Sequence, residues 1–147
     1  MYGIPIYRKT LGIEVQLSSI GKGAQNPFPD NPIIRAPNVL IECVEIYTAT
    51  QLTITPSGLT TVTDAGLTGL IVNLADNTNF NRVFQLPAVA LNVELNNGVP
   101  REFEPFKLVM QKSFIQITDA TNLVVNQAVY VNISYFEQPD QTKSKRR

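Results

Sequence analysis

Several short stretches of this chain carry residue types that could do chemistry. Asp76-Asn77-Thr78-Asn79 sets a carboxylate before side-chain oxygens, the donor chemistry of a calcium loop. An EF-type loop needs Asp or Asn at its first, third and fifth positions and glycine at the sixth. Counted from Asp76, the third, fifth and sixth positions are Thr78, Phe80 and Asn81, so the pattern fails and a plain polar loop is expected. Glu102 and Glu104 could divide into acid and base for glycoside cleavage. They project the same way along a strand beside Pro105, where a solvated face is the simpler reading. Gly21-Lys22-Gly23 is a fragment of a phosphate-binding loop without the remaining glycine, lysine and hydroxyl positions, and reads as a turn. Asn132-Ile133-Ser134 fits the glycosylation pattern but lies mid-strand. Cys43 stands alone, flanked by Glu42 and Glu45 in an apolar run, where a buried, inert thiol is expected.

What is missing narrows the chemistry further. The chain has no histidine, so it cannot assemble a Ser-His-Asp or Cys-His system or an imidazole-ligated metal from its own residues. One cysteine allows no internal disulfide. The expectation is a protein without catalytic residues, metal or cofactor. The N-terminal stretch Met1 to Lys9 lacks the basic-then-apolar order of a secretory signal, so folding in a cytoplasm is expected.

The scaffold that positions these residues reads as all-β. The 147 residues are one domain's worth. Val (14), Ile (13) and Thr (13) are abundant, and β-branched residues suit strands. Charged residues are 16%, well below the usual ~25%. Period-two alternation marks Leu11 to Leu17, Val89 to Leu95 and Val129 to Phe136, while Val39 to Tyr47 is apolar on both faces. Gln51 to Thr55 and Leu59 to Thr63 flank a Pro56-Ser57-Gly58 turn, and Asn96-Asn97-Gly98 is a strong tight-turn signal. Leu67 to Leu74, Val83 to Leu86, Phe103 to Met110 and Ser113 to Thr118 complete eight or nine strands with frequent turns, the pattern of a sandwich or barrel. Leu91, Val93, Val131 and Ile133 are expected in its core.

Three regions follow. Residues 1–38 are an N-terminal strand and a proline-rich arm, residues 39–138 the β-sandwich, and residues 139–147 a basic tail. In the arm, Pro27, Pro29, Pro32 and Pro37 argue against a sheet strand between residues 21 and 38. Phe28, Ile33 and Ile34 need cover, and an extended apolar arm suits a neighbouring subunit; folding back on its own subunit is the alternative. The tail sets Lys143, Lys145, Arg146 and Arg147 against one acid, on a body with eight basic and eleven acidic residues. Such a cation cluster would bind an anionic partner, nucleic acid or lipid headgroups.

Phe106 to Ile117 followed by Val129 to Phe136 resembles the closing strands of small viral jelly-roll proteins, and Phe84-Gln85-Leu86-Pro87-Ala88-Val89-Ala90-Leu91-Asn92 resembles their apolar turn into a strand. The resemblance spans residues 38–136 and is one of pattern, without a site motif. It implies an antiparallel two-sheet sandwich, a jelly roll, serving as a minor capsid, vertex or decoration subunit of an icosahedral virus, a bacteriophage. Its partners would be copies of itself in a threefold or fivefold ring and other capsid subunits. A receptor- or glycan-binding module of a fibre or adhesin is the alternative from the same fold.

Overall fold

The strand nearest the C-terminus organises the structure, a computed structural model that describes residues 8–48, 51–55, 58–62, 65–77, 82–93 and 96–138. Strands β1 (Lys9–Leu17), β2 (Gln25–Pro27), β3 (Val39–Thr48), β4 (Gln51–Thr55), β5 (Gly58–Val62), β6 (Leu70–Asp76), β7 (Arg82–Pro87), β8 (Glu102–Phe106), β9 (Phe114–Ile117) and β10 (Gln127–Glu137) follow in chain order. Two antiparallel four-stranded sheets, β1-β10-β3-β8 and β2-β9-β6-β7, pack face to face, and β4-β5 forms a separate ribbon. The chain is therefore an all-β sandwich.

Alternation makes β10 the spine of the first sheet. Val129, Val131, Ile133 and Tyr135 are buried inward, while Tyr130, Asn132 and Ser134 face out. β1 pairs along one side from Lys9↔Tyr135 to Leu17↔Gln127, and β3 along the other from Val129↔Thr48 to Glu137↔Val39. Inward Ile13, Val15 and Leu17 meet Leu70, Val72, Leu74, Ile115 and Ile117 of the second sheet in one core. Phe84 of β7, with Phe103 and Phe106 of β8, closes one side of the sandwich with ring centroids 5.0–5.7 Å apart.

β3 is not uniformly buried, as its sequence suggests. The register passes from Tyr135↔Ile41 to Ser134↔Cys43, leaving Glu42 as an extra residue. This bulge shifts the inward phase from Val39 and Ile41 to Val44, Ile46 and Thr48. A change of phase within one strand looks, in sequence, like apolar residues on both faces.

Other expectations need correction. Residues 88–91 form a 3-10 turn, not a strand. Leu91 is still buried there, and Val93 is only half-buried. Asn92 donates from Nδ2 to Ile46 O at 3.0 Å, and Asn96 from Nδ2 to Val89 O at 2.9 Å, so side-chain amides hold backbone carbonyls that a ladder would need. Residues 65–69 are likewise a 3-10 turn before β6. The Asn-Gly turn is as expected, with positive φ at Asn97 (58°) and Gly98 (79°).

The strand expected before residue 38 is present as β1, but the proline-rich segment after it is not free of strand. β1 and β2 are full members of the two sheets, and β2 lies inside the proline-rich segment, paired with β9. A one-turn helix, α1 (Pro32–Arg35), follows; Asn31 Oδ1 accepts from the amides of Ile33 (2.9 Å) and Ile34 (3.3 Å), with Pro32 opening the helix. Phe28 and Ile34 are 4% and 1% exposed within their own chain. The assignment of these two as subunit contacts is thereby corrected: the segment covers its own core, and only Ile33, 45% exposed, remains outside.

Gly69 packs where no side chain fits. Its carbonyl accepts from the amides of Thr118 (2.8 Å) and Asp119 (3.3 Å), and a Cβ would overlap the Asp119 carbonyl oxygen. At Gly21 nothing lies within 4 Å of such a carbon. Gly69→Ala should therefore cost about 1–3 kcal/mol in urea denaturation, and Gly21→Ala should stay within about 0.5 kcal/mol of the parent.

Candidate assembly surfaces

Several of the residues singled out for chemistry are occupied structurally. Among the described residues no three His, Cys, Asp or Glu side chains are placed to hold a metal ion. Asp76 is the buried last residue of β6, and Asn77 donates from its amide to Lys107 O at 2.9 Å; residues 78–81 lie outside the described residues. The amide of Gly23 is spent on Ile117 O at 2.7 Å, so the Gly21-Lys22-Gly23 turn ties β1–β2 to β9 instead of cradling an anion. Asn132 is half-buried above Gly12, where a Cβ would stand 3.2 Å from its Oδ1.

Cys43 and Glu102 belong to one cluster on the outer side of the first sheet. Arg8 Nη2 donates to both Glu102 oxygens at 2.8 and 3.0 Å, and its Nε lies 3.6 Å from Glu42. The guanidinium pKa is raised, chiefly by that Glu102 bond. Cys43 lies beneath, 2% exposed, its thiol pushed up first by burial and then by Glu102 and Glu45. A thiol kept protonated is a poor nucleophile. Glu102 is thus engaged by Arg8 while Glu104 stays exposed. Nothing local in the sequence points to the Arg8–Glu102 pair, because 94 positions separate its members.

The surface also has a direction. Asn126 N bonds Leu17 O, Thr118 N bonds Gly69 O and Asn92 Nδ2 bonds Ile46 O, so three connections converge at one end of the sandwich. Two of them expose large apolar residues: Val99 (65%), Val124 (68%) and Val125 (54%). At the opposite end β1 begins and β10 finishes; Lys9 Nζ is 3.4 Å from Glu137, and the Gln138 amide bonds Asn38 O at 2.7 Å. The tail cations Lys143, Lys145, Arg146 and Arg147 lie outside the described residues.

Between these ends the outer face of the first sheet is polar. Tyr130, 43% exposed, pairs across from Tyr47, whose hydroxyl donates to Glu45 at 2.7 Å. No helix among the described residues is long and apolar enough to cross a membrane.

Lys107 holds the proline-rich segment in place. Its ammonium donates to Ile34 O at 2.8 Å and to Ala36 O, the carbonyls that close α1. Burial lowers its pKa. Arg35 and Asp30 add an exposed pair at 3.2 Å, worth little by comparison. Lys107→Met should cost about 1–3 kcal/mol and speed hydrogen exchange at the Arg35, Ala36 and Val39 amides while the β10 amides keep their protection.

No protein-family model matches the chain, and no curated protein or solved structure matches it either.

Proposed function

We propose that this chain is a non-enzymatic structural subunit of an icosahedral virus particle, a minor capsid, vertex or decoration protein of a bacteriophage, built on a jelly roll. One observation carries the reading. With the β4-β5 ribbon set aside, eight strands remain, and they pair first with last, second with seventh, third with sixth and fourth with fifth: β1 with β10, β2 with β9, β3 with β8 and β6 with β7. That is the order of a long antiparallel hairpin rolled into two sheets, the architecture shared by viral capsid and lectin domains.

The structural engagement of Glu102 by Arg8 and the burial of the Cys43 thiol support a role in assembly over catalysis. Copies of the chain would meet in a threefold or fivefold ring through the sides of the sandwich, alongside other capsid subunits. Among the described residues, Ile33 and Tyr130 are exposed for such contacts, and the loop-end valines offer apolar surface to a further neighbour. The chain would fold in the host cytoplasm and act in the virion. The basic tail, which follows β10 in the sequence, would face anionic phosphate, of packaged nucleic acid or of lipid headgroups.

A second reading rests on Tyr47 and Tyr130. These two residues, paired across neighbouring strands beside Glu45, could stack a sugar, as a receptor- or glycan-binding module of a fibre or adhesin would. Saturation-transfer NMR with glycans reporting on these two rings would favour it.

Native mass spectrometry and electron microscopy of the purified chain and of particles containing it test the virion reading. Symmetric multi-copy assemblies are expected; a monomer at every concentration, found in no larger particle, would sink it.

Deleting Lys143 to Arg147 should leave thermal stability unchanged and reduce the log–log salt slope of DNA binding by about 3–4, near 0.9 for each phosphate no longer neutralised. Vesicles with anionic lipid, against zwitterionic ones, separate headgroup binding from nucleic acid. Equal binding by the truncated and full chains at low salt would refute the tail's role.

A further inference from the structure

The β4-β5 ribbon departs from a rule the rest of the chain obeys. A sheet edge displays unpaired N–H and C=O groups, and proteins blunt such edges with charge, proline or brevity. Each outer strand of the two sheets does so. β1 carries Lys9 and Glu14, β8 carries Glu102, Glu104 and Pro105, β7 begins at Arg82 and ends at Pro87, and β2 is three residues long and ends at Pro27. The ribbon has none of this protection. Residues 46–63 contain no charged residue, and the proline of that stretch lies between the strands, not in them. Neither β4 nor β5 pairs with any other described strand. Two strands alone are marginal in water and need a third for stability.

We infer that β4 is a pairing edge for the β4 of a second copy of this chain, joining two ribbons across a twofold axis into a four-stranded intermolecular sheet. The occupant follows from charge and register. A charged partner strand would meet no counter-charge on the ribbon and would lose hydration, whereas an uncharged copy meets its own complement. β4 is the better edge, because β5 opens with Gly58 while β4 follows Gln51 with Leu, Thr, Ile and Thr. The register is defined by the hairpin. Thr55 pairs with Gly58 across a two-residue loop and forms the first hydrogen-bonded pair, so Thr53↔Thr60 is the next. The backbone groups of Leu52 and Ile54 therefore point to the free edge. Two antiparallel copies centred on Thr53 match Leu52 with Ile54 in both directions and bring the two Thr53 Cα atoms to about 4.5 Å, the spacing of a non-hydrogen-bonded pair.

Two variants of the full-length chain test this, independently of the virion reading. Ile54→Pro removes an outward N–H while sparing the amides that close the hairpin. Sedimentation should show self-association of the parent chain weakened about tenfold or more in this variant, with unchanged circular dichroism. Thr53→Cys, oxidised with copper-phenanthroline in the native state, should give a dimer whose peptide map shows a 53–53 disulfide; Cys43, 2% exposed, is shielded from the reaction. A parent chain that stays monomeric, an Ile54→Pro variant that associates as the parent does, or a Thr53→Cys protein without the 53–53 link would each overturn the inference. If Ile54→Pro disturbs the ribbon itself, the cross-link alone decides.

Discussion

Everything in this fold depends on β10 being hydrogen-bonded along both sides at once. Its partners are β1, from the opposite end of the chain, and β3. A strand paired on both edges with one face buried has a single tolerable register, because a slip of one residue would turn Val129, Val131 and Ile133 to solvent. The first and last strands must therefore meet before the sheet is complete. That closure of a very long loop costs chain entropy until the non-local contacts form, so slow folding is inherent in this topology.

The same closure gives the molecule its polarity. Since β1 starts where β10 ends, Lys9 and Glu137 share one end and three loop connections gather at the other. A strand of β10's length spans about 35 Å, so the end of β10 and the exposed valines lie well apart.

Asparagine explains much of how the connections keep their shape. The chain has 13 of them. Composition alone suggests a polar surface, yet Asn26 and Asn92 are 1% and 3% exposed. Asn26 exchanges bonds with both backbone groups of Ser19, Asn31 caps α1, and Asn92 and Asn96 pin the turn after β7. A short amide can satisfy backbone groups that lack a ladder partner, which is what long connections between sheets require. Asn73 is the exception: its Nδ2 is buried without a hydrogen bond, and nothing in the structure explains it.

The sequence by itself determined the fold class, most strand positions, the Asn97-Gly98 turn and the absence of histidine chemistry. These depend on residue type and on a period of two, which are local properties. It also placed Val131 and Ile133 in the core, since their alternation survives any choice of partner. Tertiary structure alone decided the rest. Whether Val89 to Val93 became strand or turn depended on a carbonyl of Ile46, far back along the chain in β3. Whether Phe28 and Ile34 served a neighbour or their own core depended on β9 and Lys107 lying beside them. The Arg8–Glu42–Glu102 cluster exists only because β1 and β8 flank β10 and β3 in one sheet. Pairing between distant strands leaves little trace in local pattern, because backbone hydrogen bonds are the same for every residue and the choice of partner is made by the burial of whole faces.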